Sequence, residues 1–205
     1  MKERPVVIGN RARRQVAFVG PYGVGKTTAV RSLSDLPVVS TEVRTIGVRG
    51  AAQPDTKSST TVGIDYGQWR GPEGVVGLYG TPGQERFDTI RNQAVSASTS
   101  LVLLVFGHID NALDEADRWL ERLDAGELGI KLTVAVTRLQ DAADRDLDDF
   151  RDVLDRYDTD IALESADPRN RDDIARVVMS ALRLPALRRP KQPTTTLHVV
   201  REEVG

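Results

Sequence analysis

Gly20-Pro21-Tyr22-Gly23-Val24-Gly25-Lys26-Thr27 completes the pattern G-x-x-x-x-G-K-[ST], with the apolar run Val16-Ala17-Phe18-Val19 before it and Thr28-Ala29-Val30-Arg31-Ser32-Leu33 after it. This order reads as strand, phosphate loop, helix. The glycines let backbone N–H groups turn inward around the α- and β-phosphates of a nucleotide, and Lys26 reaches the β/γ oxygens. Thr27 supplies a hydroxyl for Mg²⁺, and the helix N-terminus adds a favourable dipole. The expected contacts from this stretch are Gly20, Tyr22, Gly23, Val24, Gly25, Lys26, Thr27 and Thr28.

The chain has 205 residues, of which 40% are hydrophobic, enough for one compact α/β domain with tails. Twenty-eight Lys and Arg stand against 30 Asp and Glu, and the net charge of −2 creates no field that would recruit nucleic acid or a membrane. Cysteine is absent, which excludes disulfides, thiolate metal sites and Cys lipidation and fits a cytoplasmic location. Met1 to Arg14 carries Lys2, Arg4, Arg11, Arg13 and Arg14 without an apolar signal core, and reads as a solvated arm. No run of about 18 apolar residues predicts an integral membrane segment. Residues 15–184 form the expected domain, and Pro185, Pro190 and Pro193 with Arg188, Arg189 and Lys191 open a tail over 185–205. Its alternating run Thr194 to Val200 would suit a strand added to an edge or a disordered tail, and the second is the simpler reading.

Within the domain the first helix should run from about Lys26 to Leu33. From Pro37 to Ser59 no period holds, and a functional loop is expected. Val62 to Trp69 alternates with period two, Gly71-Pro72-Glu73-Gly74 is a turn, and Val75 to Tyr79 returns as the second arm of a hairpin. Leu101 to Phe106 and Leu132 to Val136 are short continuous apolar runs, the mark of strands covered on both faces. Helices are expected over Asn111 to Leu123, Asp146 to Tyr157 and Arg171 to Leu184, with a strand at Ile161-Ala162-Leu163. The alternation predicts a three-layer α/β P-loop fold, a mainly parallel sheet with one antiparallel edge hairpin.

The segments around the phosphate loop decide between an ATPase, a small-molecule kinase and a switch. Thr61-Val62-Gly63-Ile64-Asp65-Tyr66 and Gly80-Thr81-Pro82-Gly83-Gln84-Glu85-Arg86-Phe87 resemble the switch I exit and switch II of Ras-like small GTPases. More narrowly, Tyr-Gly-Thr-Pro-Gly-Gln resembles the bacterial branch that includes gliding-polarity and actinobacterial conservon-type GTPases. The resemblance implies GTP/GDP binding with Mg²⁺ on Thr27 and Thr61, and a Gly83 N–H on the γ-phosphate. Gln84 matches the residue that orients the attacking water, with Lys26 and Thr61 supporting the transition state. It also implies a roadblock/LC7-type regulator that contacts the switches.

Three features depart from the Ras-like pattern, and a fourth agrees with it. Gly80 stands where the family carries a Mg²⁺-directed aspartate, so metal binding should weaken unless Asp55 or Asp65 substitutes. Tyr22 is large for a phosphate loop, and would crowd an incoming arginine finger or cover the nucleotide. Thr137-Arg138-Leu139-Gln140 replaces Asn-Lys-x-Asp, whose aspartate accepts from guanine N1–H and N2–H₂. Gln140 offers one acceptor and one donor instead, which suits adenine better, and Asp141 follows it. Arg138 can stack on the base. Finally, Ser165 and Ala166 of Glu164-Ser165-Ala166-Asp167 resemble the loop whose Ala N–H meets guanine O6.

The other singletons carry less. Arg44, Arg49 and Lys57 offer loop cations; His108 and His198 lack a second metal ligand; Trp69 and Trp119 read as packing residues; and Asp141 to Asp152 reads as a solvated helix face. The expectation is a slowly hydrolysing GTP/GDP switch under a partner's control. A nucleotide-binding scaffold without turnover and an ATP-binding P-loop enzyme are the alternatives.

Overall fold

The computed structural model of the chain describes residues 12, 14–45, 60–81, 99–126 and 132–184. Its strands are β1 (Arg14–Val19), β2 (Val39–Thr45), β3 (Thr60–Gly71), β4 (Gly74–Gly80), β5 (Thr99–Phe106), β6 (Leu132–Thr137) and β7 (Ala162–Ser165). They lie side by side in the order β2-β3-β4-β1-β5-β6-β7. The helices are α1 (Lys26–Leu33), α2 (Ala112–Arg122), α3 (Leu147–Leu154) and α4 (Arg171–Ala181). β4, β1, β5, β6 and β7 run parallel, and β3 and β2 add two antiparallel pairings at one side. This is the mainly parallel three-layer α/β fold that the β-then-α alternation predicts.

Continuous apolar runs become central strands because both of their faces need cover. Along β5, Leu101, Leu103 and Val105 pack with α2 and α3 through Ala116, Leu120, Phe150 and Leu154. Val102 and Leu104 point the other way, into a layer made by α1 and α4 through Ala29, Val30, Leu33, Ile174 and Val178. Trp69 and Trp119 are buried in these two layers, as packing residues should be. β1 thus stands mid-sheet with helices on both sides, between β4 and β5. The phosphate loop leaves its C-terminal end, the crevice where open α/β sheets bind ligands.

One element departs from the sequence reading. The stretch after Pro37 is not entirely loop, because Val39–Thr45 forms β2, the outermost strand, paired from Val39↔Tyr66 to Thr45↔Thr60. The hairpin β3–β4 is therefore one strand in from the edge. Val39, Thr41, Val43 and Thr45 are β-branched and alternate with Ser40, Glu42 and Arg44, a strand pattern that is only seven residues long and is lost when it is read together with the Gly-, Pro- and Ser-rich stretch that follows it to Ser59. The 46–59 part of that loop, the switch II residues Gly83 and Gln84, and the 185–205 tail lie outside the described residues. At the other end, Arg14 belongs to β1 and pairs with Glu73 at 2.9 Å.

Three helix termini are stabilised in ways that α1 is not. Asp146 and Asp149 form a capping box on α3, Asn170 accepts from the Asp172 and Asp173 N–H groups on α4, and α2 carries Asp114 and Glu115 in its first turn. α1 begins at Gly25 in the left-handed region, with no side-chain cap and no acid in its first turn. Its N-terminal donors and partial positive charge are left for a ligand. At its other end, Arg171 donates to the Leu33 carbonyl at 2.7 Å and to Asp35 at 2.5 Å, tying α1 to the start of α4.

Gly20 sets how closely the phosphate loop approaches β5. Its φ is +134°, and a Cβ there would lie 2.1 Å from the Leu104 carbonyl oxygen. Gly23 also has positive φ, +79°, but a Cβ would meet nothing within 4 Å. Gly20→Ala should cost more than about 3 kcal/mol of stability and Gly23→Ala about 1–2 kcal/mol. Urea denaturation of the two variants measures this, and equal losses would contradict the packing argument.

Candidate nucleotide-binding site

The Lys26 side chain is folded back into its own loop. It is 7% exposed, and its Nζ donates to the carbonyls of Gly20 at 2.8 Å and Pro21 at 2.6 Å. Burial without a counter-charge lowers its pKa to about 8. An anion bound at the loop would reverse that shift, because a nearby negative charge favours the ammonium.

Thr27 stands at the start of α1, and its Oγ1 donates to Oδ2 of Asp65. The other carboxylate oxygen, Oδ1, accepts from Ser40 Oγ at 2.5 Å. Asp65 lies directly across the β3–β4 ladder from Gly80. A Cβ on Gly80 would come within 3.3 Å of the Asp65 Cβ and 3.5 Å of its Oδ2. The space that an acidic side chain at position 80 would enter is thus already bordered by the carboxylate of Asp65. A hydroxyl and a carboxylate, both hard oxygen donors, fit Mg²⁺, which commonly takes one or two protein ligands and fills the rest with phosphate and water. No group of three or more metal-binding side chains occurs among the described residues, and Mg²⁺ requires none.

Thr61 is not brought to Thr27. Its backbone pairs with Arg44 in the β2–β3 ladder, four residues along the strand from Asp65. At the rise of an extended strand that is about 13 Å. From Thr60 to Ile64, β3 pairs with β2 and has no partner on β4, whose ladder begins at Asp65↔Gly80.

A cleft of about 350 Å³ joins the phosphate loop to the loops after β6 and β7, and is lined by Gly23, Val24, Gly25 and Thr28 at one end. At the other end it is lined by Arg138, Gln140, Asp141, Asp167, Pro168 and Arg169. The first three of these were expected from the sequence. Asp167 closes the Glu-Ser-Ala-Asp string, so its position was hinted at; Pro168 and Arg169 carry no signal that a single sequence reveals. Pro168 holds the two ends together, since a Cβ on Gly25 would lie 2.6 Å from its Cγ. Tyr22 does not line the cleft and is 85% exposed.

Leu139–Asp141 form a single 3₁₀ turn entered through Arg138 at φ 55°. The Arg138 guanidinium lies 5.6 Å from the centre of the Phe106 ring, and His108 meets the same ring edge-on at 5.5 Å. Thr137 turns inward, its hydroxyl donating to the Val105 carbonyl at 3.1 Å. On the facing loop the Ala166 N–H donates to the Val136 carbonyl at 3.0 Å, extending the β6–β7 ladder. The next N–H, of Asp167, donates to Asp173 at 3.1 Å. Arg176 completes this loop by donating to the Ser165 carbonyl at 2.9 Å and to Asp173 at 3.0 Å. Asp167 accepts from the Arg169 side chain and backbone, contacts that hold its carboxyl below the usual range.

No protein-family model matches the chain, and no curated protein matches it. Solved structures do. The cytosolic domain of the T. maritima FeoB iron transporter in its GMPPNP form superposes with a TM-score of 0.57 at 14% identity, covering 83% of this chain and 63% of that one. The G domain of the same transporter gives a TM-score of 0.56 at 14% identity, covering 83% of this chain and 97% of that one. The chain therefore spans somewhat less than two thirds of the cytosolic domain and nearly all of the G domain. At this identity the likeness shows the fold, that of P-loop G domains. No helix among the described residues is long and apolar enough to cross a membrane.

The lowered pKa of Lys26 makes a signed prediction. The free protein loses this proton as pH rises through about 8, whereas an anion at the loop keeps it bound. Binding of a nucleoside diphosphate should therefore take up a proton at pH 8.5 and weaken as pH rises further. Calorimetry in buffers of different ionisation enthalpy measures the uptake. Proton release, or affinity rising with pH, would contradict the assignment.

Proposed function

We propose that the chain is a guanine-nucleotide switch of the bacterial Ras-like type, which binds GTP and GDP with Mg²⁺ and hydrolyses GTP slowly. The observation that carries this reading is the convergence of an open α1 N-terminus, the buried Lys26 and the Thr27–Asp65 pair at one end of the cleft. Mg²⁺, when bound, neutralises charge developing on the transferred phosphoryl group. Thr27 and Asp65 would hold it, and Lys26 would turn from the Gly20 and Pro21 carbonyls toward the β/γ oxygens. Gln84 would position water for in-line attack on the γ-phosphate, a role that rests on the family resemblance.

The β2–β3 ladder supports a switch. Thr61 would approach the phosphates by a movement of the β2–β3 extension, either with its pairing to Arg44 intact or with that pairing opened. The exposed ring of Tyr22 offers a contact on the phosphate loop for a regulator, of the roadblock/LC7 type by resemblance, and the working location is the cytoplasm. A scaffold that binds nucleotide without turnover is the second reading, favoured by Gly80 in place of an acidic residue.

Calorimetry on nucleotide-stripped protein should show GTP and GDP binding at least about tenfold tighter than ATP, with Mg²⁺ strengthening both. Gln84→Leu should slow phosphate release about tenfold or more while leaving GDP affinity unchanged. ATP binding as tight as GTP would overturn the guanine reading, and unaltered hydrolysis in Gln84→Leu would overturn the catalytic one.

A further inference from the structure

We infer that Ser40 is the positioning residue of the Asp65 carboxylate, and that its hydroxyl ties the outer strand β2 to the Mg²⁺ site. The inference rests on the metal reading of Thr27 and Asp65 above and adds the residue that aims the carboxylate.

Ser40, Asp65 and Gly80 form one row across β2, β3 and β4, because Ser40 pairs with Asp65 in one ladder and Asp65 with Gly80 in the next. Residues directly opposite on neighbouring strands project to the same face of a sheet. The Asp65 side chain is on the α1 side, where Thr27 donates to Oδ2, and Ser40 follows it there and donates to Oδ1 at 2.5 Å. The carboxylate is thus held at both oxygens, one by α1 and the other by β2. Both donors are neutral hydroxyls. Among the described residues no ion pair involves Asp65, so its charge is not taken up by a Lys or Arg and remains for a cation.

A carboxylate that keeps one oxygen toward a metal must not turn about its Cβ–Cγ bond, and a hydrogen bond to the other oxygen opposes that turn. Ser40 supplies this bond, which leaves Oδ2 on the side of Thr27 and the phosphate loop. A threonine hydroxyl has two lone pairs beside its proton, so Thr27 can face a cation and Asp65 together, and the Ser40 bond need not break. β2 does not depend on Ser40 for its attachment. The chain leading into it is fastened to β3 by the Asp35 N–H on the Gln68 carbonyl at 2.7 Å and by the Arg70 N–H on Asp35 at 2.6 Å. From Val39 to Thr45 it is then paired along its length. The Ser40 hydroxyl can therefore be removed without removing the strand.

Threonine and valine separate the hydroxyl from the shape, since both are β-branched and suit a strand but only threonine can donate. GDP affinity is measured by calorimetry with and without Mg²⁺ on wild type, Ser40→Thr and Ser40→Val, with thermal melts to establish folding. Ser40→Thr should keep the Mg²⁺-dependent gain within about twofold. Ser40→Val should reduce it about tenfold, the low end for an outer partner of a metal ligand, because Ser40 is exposed. Without Mg²⁺ the three proteins should bind GDP alike. A full Mg²⁺-dependent gain in Ser40→Val, or equal losses in Ser40→Thr and Ser40→Val, would overturn this inference and leave the metal reading of Asp65 standing. A loss in Ser40→Val that is as large without Mg²⁺ as with it assigns Ser40 to the strand alone and also overturns the inference. Wild-type protein whose GDP affinity does not respond to Mg²⁺ overturns the metal reading itself.

Discussion

The hydrogen bond from Thr27 to Asp65 joins α1 to β3, the two parts of the molecule that the proposed nucleotide would have to coordinate. Thr27 opens α1, which is fixed to the sheet by Ala29, Val30 and Leu33 and to α4 by Arg171. Asp65 sits at the point where β3 passes the end of β4 and continues with β2 as its one strand neighbour among the described residues. The contact therefore lies between a rigid element and the base of a two-stranded extension. Its carboxylate occupies the space beside Gly80, which explains how a glycine can stand where an acid is expected. The charge is on the neighbouring strand, in register with the position that lacks it.

Electrostatics around the phosphate loop point the same way. A buried lysine whose pKa falls to about 8 is costly to keep charged, and an uncapped helix end leaves donors unsatisfied. Both costs would fall on arrival of an anion, so this part of the fold would be stabilised by the nucleotide that we propose it binds. The other helices satisfy their first turns with their own Asp and Asn residues, and this contrast sets α1 apart as the anion end of the cleft.

Most of the architecture was legible in the sequence because it follows from local rules. The apolar runs that became β5 and β6, the Gly71 to Gly74 turn and the phosphate-loop motif each specify their own structure. β2 was missed because its short alternation, Val39 to Thr45, was read as part of one long stretch broken by Gly47, Gly50 and Pro54. At the site, Arg138, Gln140 and Asp141 were found because they stand where the Ras-like resemblance places its base-reading motif, just after β6. Pro168 and Arg169 were missed because what brings them to the cleft is tertiary, the packing of Pro168 on Gly25. The committed state of the Ala166 N–H was equally invisible, as it depends on how far the β6–β7 ladder runs. Asp65 could be suspected from Gly80, but only strand register places the two side by side.

The central claim is that the carboxylate of Asp65 does the work that position 80 cannot. It is tested most directly by moving that carboxylate back across the ladder and measuring the Mg²⁺ dependence of GDP affinity. Asp65→Ala should lose most of the Mg²⁺-dependent gain, and Asp65→Ala combined with Gly80→Asp should recover it, because truncation to Cβ removes the carboxylate oxygen that a side chain at position 80 would meet at 3.5 Å. A folded Asp65→Ala protein with unchanged Mg²⁺ dependence would contradict the account.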